Sequence, residues 1–190
     1  MHGLVSLLDK KHYALVEAIW QALDNDCGLT GIHVTPLPHF SWQIVEDYDW
    51  DALEVVMAEI ASAARPITVH TNGLALFTGE SPVVYIPVVR SKVLSEFHEL
   101  IWERMEPIGI RPSLYYAPPF WMPHISLAYS DVEIQKLHCL MEKLAFRTFN
   151  WEIKIDNLTL IYETEGTVGQ IRSKYLFGEK ESQKKQVASK

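Results

Sequence analysis

Apolar and polar positions along the chain alternate between two rhythms, one of strands and one of helices. Gly3–Leu8 (GLVSLL) is a short apolar run that reads as a strand. From Asp9, a residue suited to capping a helix N-terminus, the apolar residues Leu15, Ile19, Ala22 and Leu23 recur at helical spacing. Val83–Val89 (VVYIPVV) repeats the strand, and Ser91 opens a second helix of the same kind. Two more amphipathic helices are predicted. One runs over Asp49–Ala64 with Leu53, Val56, Met57 and Ile60 on one side; the other runs over Asp131–Ala145 with Ile134, Leu137, Met141 and Leu144. Strands are expected at Gly73–Phe77 and Asn157–Ile161, with further strands at Ile67–His70, Trp151–Ile155 and Ile171–Phe177. The tail, residues 179–190 (EKESQKKQVASK), is polar and predicted to be disordered.

The pattern repeats once. The stretch from Glu17 through Ile19 and Trp20 matches Glu99, Ile101 and Trp102 at an offset of 82 residues. Pro38-His39-Phe40-Ser41-Trp42 matches Pro123-His124-Ile125-Ser126-Leu127 at an offset of 85, and Gly73–Phe77 matches Asn157–Ile161 at 84. Four elements in one order at nearly constant offsets argue for a duplication rather than a coincidence in a generic α+β domain. The expected organisation is a single bilobal domain over residues 1–178, built from pseudo-repeats 3–81 and 83–178. Trp20 and Trp102, at matching places on helical faces, read as core residues.

Composition narrows the class. With 190 residues, 48% hydrophobic and 22% charged, the chain has the make-up of an ordinary globular protein with one sizeable core. No run of about 18 apolar residues exists to span a membrane, and the first residues do not read as a secretory signal, so a cytoplasmic protein is expected. A net charge of −7 repels long polyanions, which speaks against coating nucleic acid but permits a small phosphate ester in a local pocket. Cys27 and Cys139 form no metal-binding spacing; two free thiols are the plainer expectation, with a disulfide left open. A zinc site from Cys27, His33 and His39 would use gaps that match no standard ligand spacing.

The chemistry lies in the repeated pentapeptide. Along a strand, successive side chains point to opposite faces, so His39 and Ser41 share one face while Phe40 and Trp42 take the other. His124 and Ser126 stand likewise against Ile125 and Leu127. One Pro-His-x-Ser is expected by chance about 0.03 times in a chain of this composition, so two at equivalent places form a strong signal. An approximate twofold would bring the two strands face to face across a cleft. One neutral imidazole could then accept a proton while the other, protonated, donates one. The hydroxyls two residues on could hold developing charge on phosphoryl oxygens. This is general acid–base chemistry for a phosphodiester and asks for no metal or cofactor. The aromatic loop Tyr115-Tyr116-Ala-Pro-Pro-Phe120-Trp121 leads into the second motif, and Tyr115, Phe120 and Trp121 are candidates for stacking on a base. Arg90, after the Val83–Val89 strand, is a candidate phosphate ligand.

Paired His-x-Ser-hydrophobic motifs in a duplicated α/β chain resemble the 2H phosphoesterase superfamily, which includes 2′-5′ RNA ligase-like proteins and cyclic phosphodiesterases. The resemblance covers Gly3–Gly178. It implies an α+β fold with two antiparallel sheets lining a central cleft and helices outside. It implies His39 and His124 as the catalytic pair and Ser41 and Ser126 as phosphate-binding hydroxyls. Many members carry Thr where this chain has Ser, a change that keeps the donor. The implied activity is metal-independent cleavage of a cyclic phosphate or 2′-5′ linked nucleotide or short RNA; a monomer is expected, because the cleft forms within one chain. The alternative is a non-catalytic module that binds nucleotides or RNA ends in the same cleft.

Overall fold

The computed structural model describes residues 1–164 and 167–179. The first half of the chain runs β1 (His2–Leu7), α1 (Lys10–Cys27), β2 (His39–Val45), β3 (Asp47–Tyr48), α2 (Trp50–Ala63), β4 (Ile67–His70) and β5 (Ala75–Phe77). The second runs β6 (Val83–Pro87), α3 (Lys92–Met105), β7 (Gly109–Ile110), β8 (His124–Ala128), α4 (Ile134–Leu144), β9 (Glu152–Ile155), β10 (Asn157–Thr164) and β11 (Thr167–Leu176). The helix starts are chemically marked. Asp9 accepts from the His12 N–H, Asp49 from the Asp51 and Ala52 N–H groups, and Ser91 from the Leu94 N–H. Gly28 ends α1 with φ 64°, a left-handed turn that favours glycine. The predicted tail lies, but for Glu179, outside the described residues.

Two antiparallel sheets carry the architecture, one of order β11-β10-β1-β2 and one of order β5-β6-β8. Their composition crosses the halves of the chain. The last strand of the first half, β5, pairs with β6 of the second; β10 of the second half pairs with β1 of the first. The helices cross as well: α1 and α4 pack together with α1 against β8, while α3 lies on β2 and α2 on β10 and β11. Each lobe is therefore built from both halves, with its helices outside. The mixed helix and antiparallel-sheet class matches the fold expected from the sequence.

Both motif strands carry an irregularity at the same place. Between β1 and β2 the register steps from Val5↔Ser41 to Leu4↔Gln43, passing over Trp42. Between β6 and β8 it steps from Tyr85↔Ser126 to Val84↔Ala128, passing over Leu127. A bulge reverses the alternation beyond it. Accordingly Phe40, Trp42 and Gln43 are buried, as are Ile125, Leu127 and Ala128, while Ile44 and Tyr129 return to the face of the histidines. Burying an aromatic or aliphatic side chain contributes about 1.5–3 kcal/mol, so the apolar faces of the two strands fix which way the histidines point.

Several sequence expectations change. Cys27 and Cys139 form a disulfide that ties the end of α1 to α4, with Cα atoms 5.7 Å apart, so they are neither free thiols nor zinc ligands. The buried face of α1 is Val16, Ile19, Trp20 and Leu23, one residue round from the predicted stripe. On α4, Leu140 and Leu144 are buried while Ile134 and Met141 are exposed, because the helix begins at Ile134 and rests only its last two turns on the core. Trp20 is buried, but its counterpart Trp102 is only half-buried. Among the described residues no helix is long and apolar enough to cross a membrane.

Candidate active site

β2 and β8 are edge strands of their sheets and lie beside each other, which brings the two repeated motifs together. His39, Ser41, His124 and Ser126 line one cavity of about 1000 Å³. In each motif the proline fixes its own φ and holds the residue before it extended. Two residues back from each histidine a backbone carbonyl meets the ring: Leu37 O at Nδ1 of His39, and Met122 O at Nδ1 of His124, the latter at 2.7 Å. A carbonyl only accepts, so each neutral ring carries its proton on Nδ1 and keeps the Nε2 lone pair for the cleft.

The backbone of each motif is held from outside by a tryptophan of the other half of the chain. Trp121 donates from its indole Nε1 to the Ser41 carbonyl at 2.9 Å, and Trp20 donates to the Ser126 carbonyl at 3.1 Å. These indoles satisfy carbonyls that an edge strand would otherwise leave open. His98 of α3 adds a third tie through Nε2 to the Trp42 carbonyl at 3.1 Å, and its ring stacks on Trp121 with centroids 3.8 Å apart. Beside Ser41 stands Tyr116, whose hydroxyl hydrogen-bonds the serine side chain; burial raises its pKa and that bond opposes the rise.

The two histidines rest on different floors. His39 lies opposite Leu7, on a small aliphatic cluster of Val5, Leu7 and Ile161 with Leu37 and Ile171 against it. Burial pushes its pKa down to about 4, the Leu37 carbonyl opposing and the charge of His124 adding to the fall. His124 stands within 5.0 Å of the Phe77 ring and 5.1 Å of the Tyr85 ring, centroid to centroid, and those two stack on each other at 4.1 Å. Burial lowers its pKa too, opposed by the Met122 carbonyl.

The remaining candidates separate clearly. Tyr115 and Phe120 line the mouth of the cavity, 85% and 65% exposed. Trp121 lines the cavity as well, but it is 1% exposed and fixed by the contacts just described, so its ring is a wall. Arg90 is not among the lining residues. Its guanidinium donates to the Trp121 carbonyl at 3.2 Å, the Pro118 carbonyl at 2.7 Å and the Ser95 hydroxyl at 3.1 Å, so it clamps the aromatic loop from behind. Phe77, Tyr85 and Tyr116 are additions that the sequence did not single out. Only the pairing of β5, β6 and β8 and the fold of the loop reveal them. The 3₁₀ turn Gly31–Val34 brings Ile32 and Val34 to the cavity. Asp131 accepts from the Thr30 N–H at 2.8 Å there, and a Cβ on Gly31 would sit 2.1 Å from the Tyr129 carbonyl, so only glycine fits. Among the described residues no group of three or more His, Cys, Asp or Glu is arranged to hold a metal ion.

A family model described as the 2′-5′ RNA ligase superfamily matches residues 8–167. Among solved structures, TT0787 of Thermus thermophilus is similar, with a TM-score of 0.62 and 15% identity over 93% of this chain and 97% of that one. A second, described as a phosphoesterase, is similar with a TM-score of 0.57 and 14% identity over 94% of this chain and 98% of that one. At these identities the likeness concerns the fold. A search of curated proteins by sequence finds no match.

Proposed function

We infer function from one fixed premise: the chain belongs to the 2′-5′ RNA ligase superfamily. We propose that it is a metal-independent phosphodiesterase acting on a cyclic phosphate or a 2′-5′ linked nucleotide or short RNA. The observation that carries this reading is the meeting of His39, Ser41, His124 and Ser126 in one cavity, each histidine turned by a backbone carbonyl so that Nε2 faces the reaction.

The difference between the floors supports a division of labour. An aliphatic floor gives an imidazolium nothing in exchange for lost water, whereas aromatic rings within about 6 Å attract a cation. His39 is thus suited to be the base and His124 the acid. Water, or a ribose hydroxyl, gives its proton to Nε2 of His39 as its oxygen bonds to phosphorus. The bond from phosphorus to the leaving ribose oxygen breaks, and that oxygen takes a proton from Nε2 of His124. Ser41 and Ser126 donate to the non-bridging oxygens as charge builds on them. Run backwards with a ribose hydroxyl as leaving group, the same pair exchanges roles and forms a linkage. The bound phosphate anion raises both imidazole pKa values, which favours the protonated form of His124 when it is needed.

Turnover of a panel of nucleoside 2′,3′-cyclic phosphates by the wild type, His39→Ala and His124→Ala tests this directly. Each single variant is expected to lose about 10²- to 10⁴-fold in kcat. Undiminished turnover in either one contradicts the paired mechanism. Nucleotide binding by the wild type without any turnover supports the binding module instead.

A further inference from the structure

The proposed reaction needs only one negative charge, at the scissile phosphate, and the surroundings of the two motifs bear on what else the substrate carries. Exposed apolar side chains concentrate at this cleft: Val34, Leu76, Tyr115, Phe120, Met122 and Tyr129 are all 40% exposed or more and all line the cavity. Large exposed apolar surface around a concave site marks a place that meets apolar surface of a ligand. These residues come from separate segments of the chain. Tyr115, Phe120 and Met122 belong to the loop before β8, Val34 to the 3₁₀ turn, and Leu76 to β5. Flat or apolar groups of a ligand would thus meet apolar surface beside the phosphate.

The charged groups at the cleft point the same way. Apart from the histidines, its ionised lining consists of the Glu163 carboxylate and the Met1 amine, which pair with each other at 2.5 Å. Among the described residues no lysine or arginine lines it, and Arg90, the cation behind the aromatic loop, acts electrostatically on His98 rather than on either motif histidine. Recognition of several phosphates ordinarily rests on lysine and arginine contacts that release counterions. Here the charge of one phosphodiester is matched by one protonated imidazole and two hydroxyls, and a second phosphate finds only a carboxylate and an amine already paired to it.

From this geometry we propose that the cleft selects a phosphodiester bearing a single negative charge with aromatic or apolar groups beside it, and discriminates against substrates with further phosphates. The proposal rests on the phosphodiesterase reading and specifies its substrate class.

The test is a series in which the scissile group is constant: cytidine 2′,3′-cyclic phosphate, the same compound with a 5′-phosphate, and a hexanucleotide ending in it. Bis(4-nitrophenyl) phosphate joins as a singly charged diester with aromatic groups and no nucleoside. The expected order of kcat/KM places the two singly charged compounds above the other two by about tenfold or more, with no fall as salt rises from about 50 to about 200 mM. Tyr115→Ala and Phe120→Ala, both at exposed positions, are expected to raise KM for the singly charged substrates by about tenfold each with a smaller effect on kcat. Preference for the hexanucleotide, with kcat/KM falling steeply as salt is added, overturns the proposal and leaves the phosphodiesterase reading standing. Failure of the wild type to turn over any member overturns the reading and the proposal together.

Discussion

His39 and His124 occupy equivalent places on equivalent strands, yet the ground beneath them differs. Each follows a proline, meets a carbonyl two residues back and shares its face with a serine. Each strand is bulged one residue past that serine and held there by an indole. Under His39 lie Val5 and Leu7; under His124 lie Tyr85 and Phe77. The framework that aims the rings has stayed symmetric, and the floor beneath them has not. Acid–base catalysis asks for such a combination, since it needs two groups in one orientation but in opposite protonation states.

The largest effect that would break the comparison is on the serines. Ser41→Ala and Ser126→Ala each remove a proposed donor to the phosphoryl oxygens and are expected to lower kcat by about 10- to 10²-fold, measured at saturating substrate. If only one of them matters, the hydroxyls do not act as a pair. Tyr116 bonds the Ser41 hydroxyl, so Tyr116→Phe is expected to reduce activity by a few-fold and to leave Ser126→Ala as harmful as before.

The pH profile sharpens the comparison further. In the proposed mechanism His39 must be neutral, and burial pushes its pKa down to about 4, so kcat/KM is expected to rise as pH climbs through about 4. His124 must be protonated and its pKa is held below the ordinary 6.5, so kcat/KM falls again before neutrality. The optimum of kcat/KM is therefore expected on the acid side of 6.5. Phe77→Leu removes one aromatic partner of the imidazolium, lowers the pKa of His124, and moves the alkaline limb to lower pH by about 0.5–1 unit. The acid limb, set by His39 over its aliphatic floor, stays where it is. Equal movement of both limbs would show that the floors do not act separately. A smaller effect is expected of Trp20→Phe, which keeps the buried ring but leaves the Ser126 carbonyl without its donor. A loss of about 1–3 kcal/mol in denaturant-measured stability checks that role.

Much of the candidate site could be read from residue order alone. Two Pro-His-x-Ser segments, each with apolar residues at the alternate positions, named the four polar groups and the face they share. The strands were legible because strand periodicity is local, and β4 falls at Ile67–His70 as its pattern requires. Partners are not local. Nothing in Gly73–Phe77 says that it pairs with the first strand of the other half, and so Phe77 and Tyr85 could not be placed under His124. Arg90 looked like a phosphate ligand because a free guanidinium after a strand is suited to one, but three acceptors around the aromatic loop take it up. The disulfide was equally hidden, because Cys27 and Cys139 meet only through the packing of α1 on α4.

The inequivalence of the two histidines can be measured without any substrate. In an NMR titration of the imidazole resonances, assigned with His39→Ala and His124→Ala, the account predicts that His39 titrates near 4, that His124 titrates below its ordinary 6.5, and, from the two floors, that His39 is the lower of the pair. In Phe77→Leu only the second value falls. Coincident titrations near 6.5, or His39 titrating above His124, would contradict the assignment of base and acid.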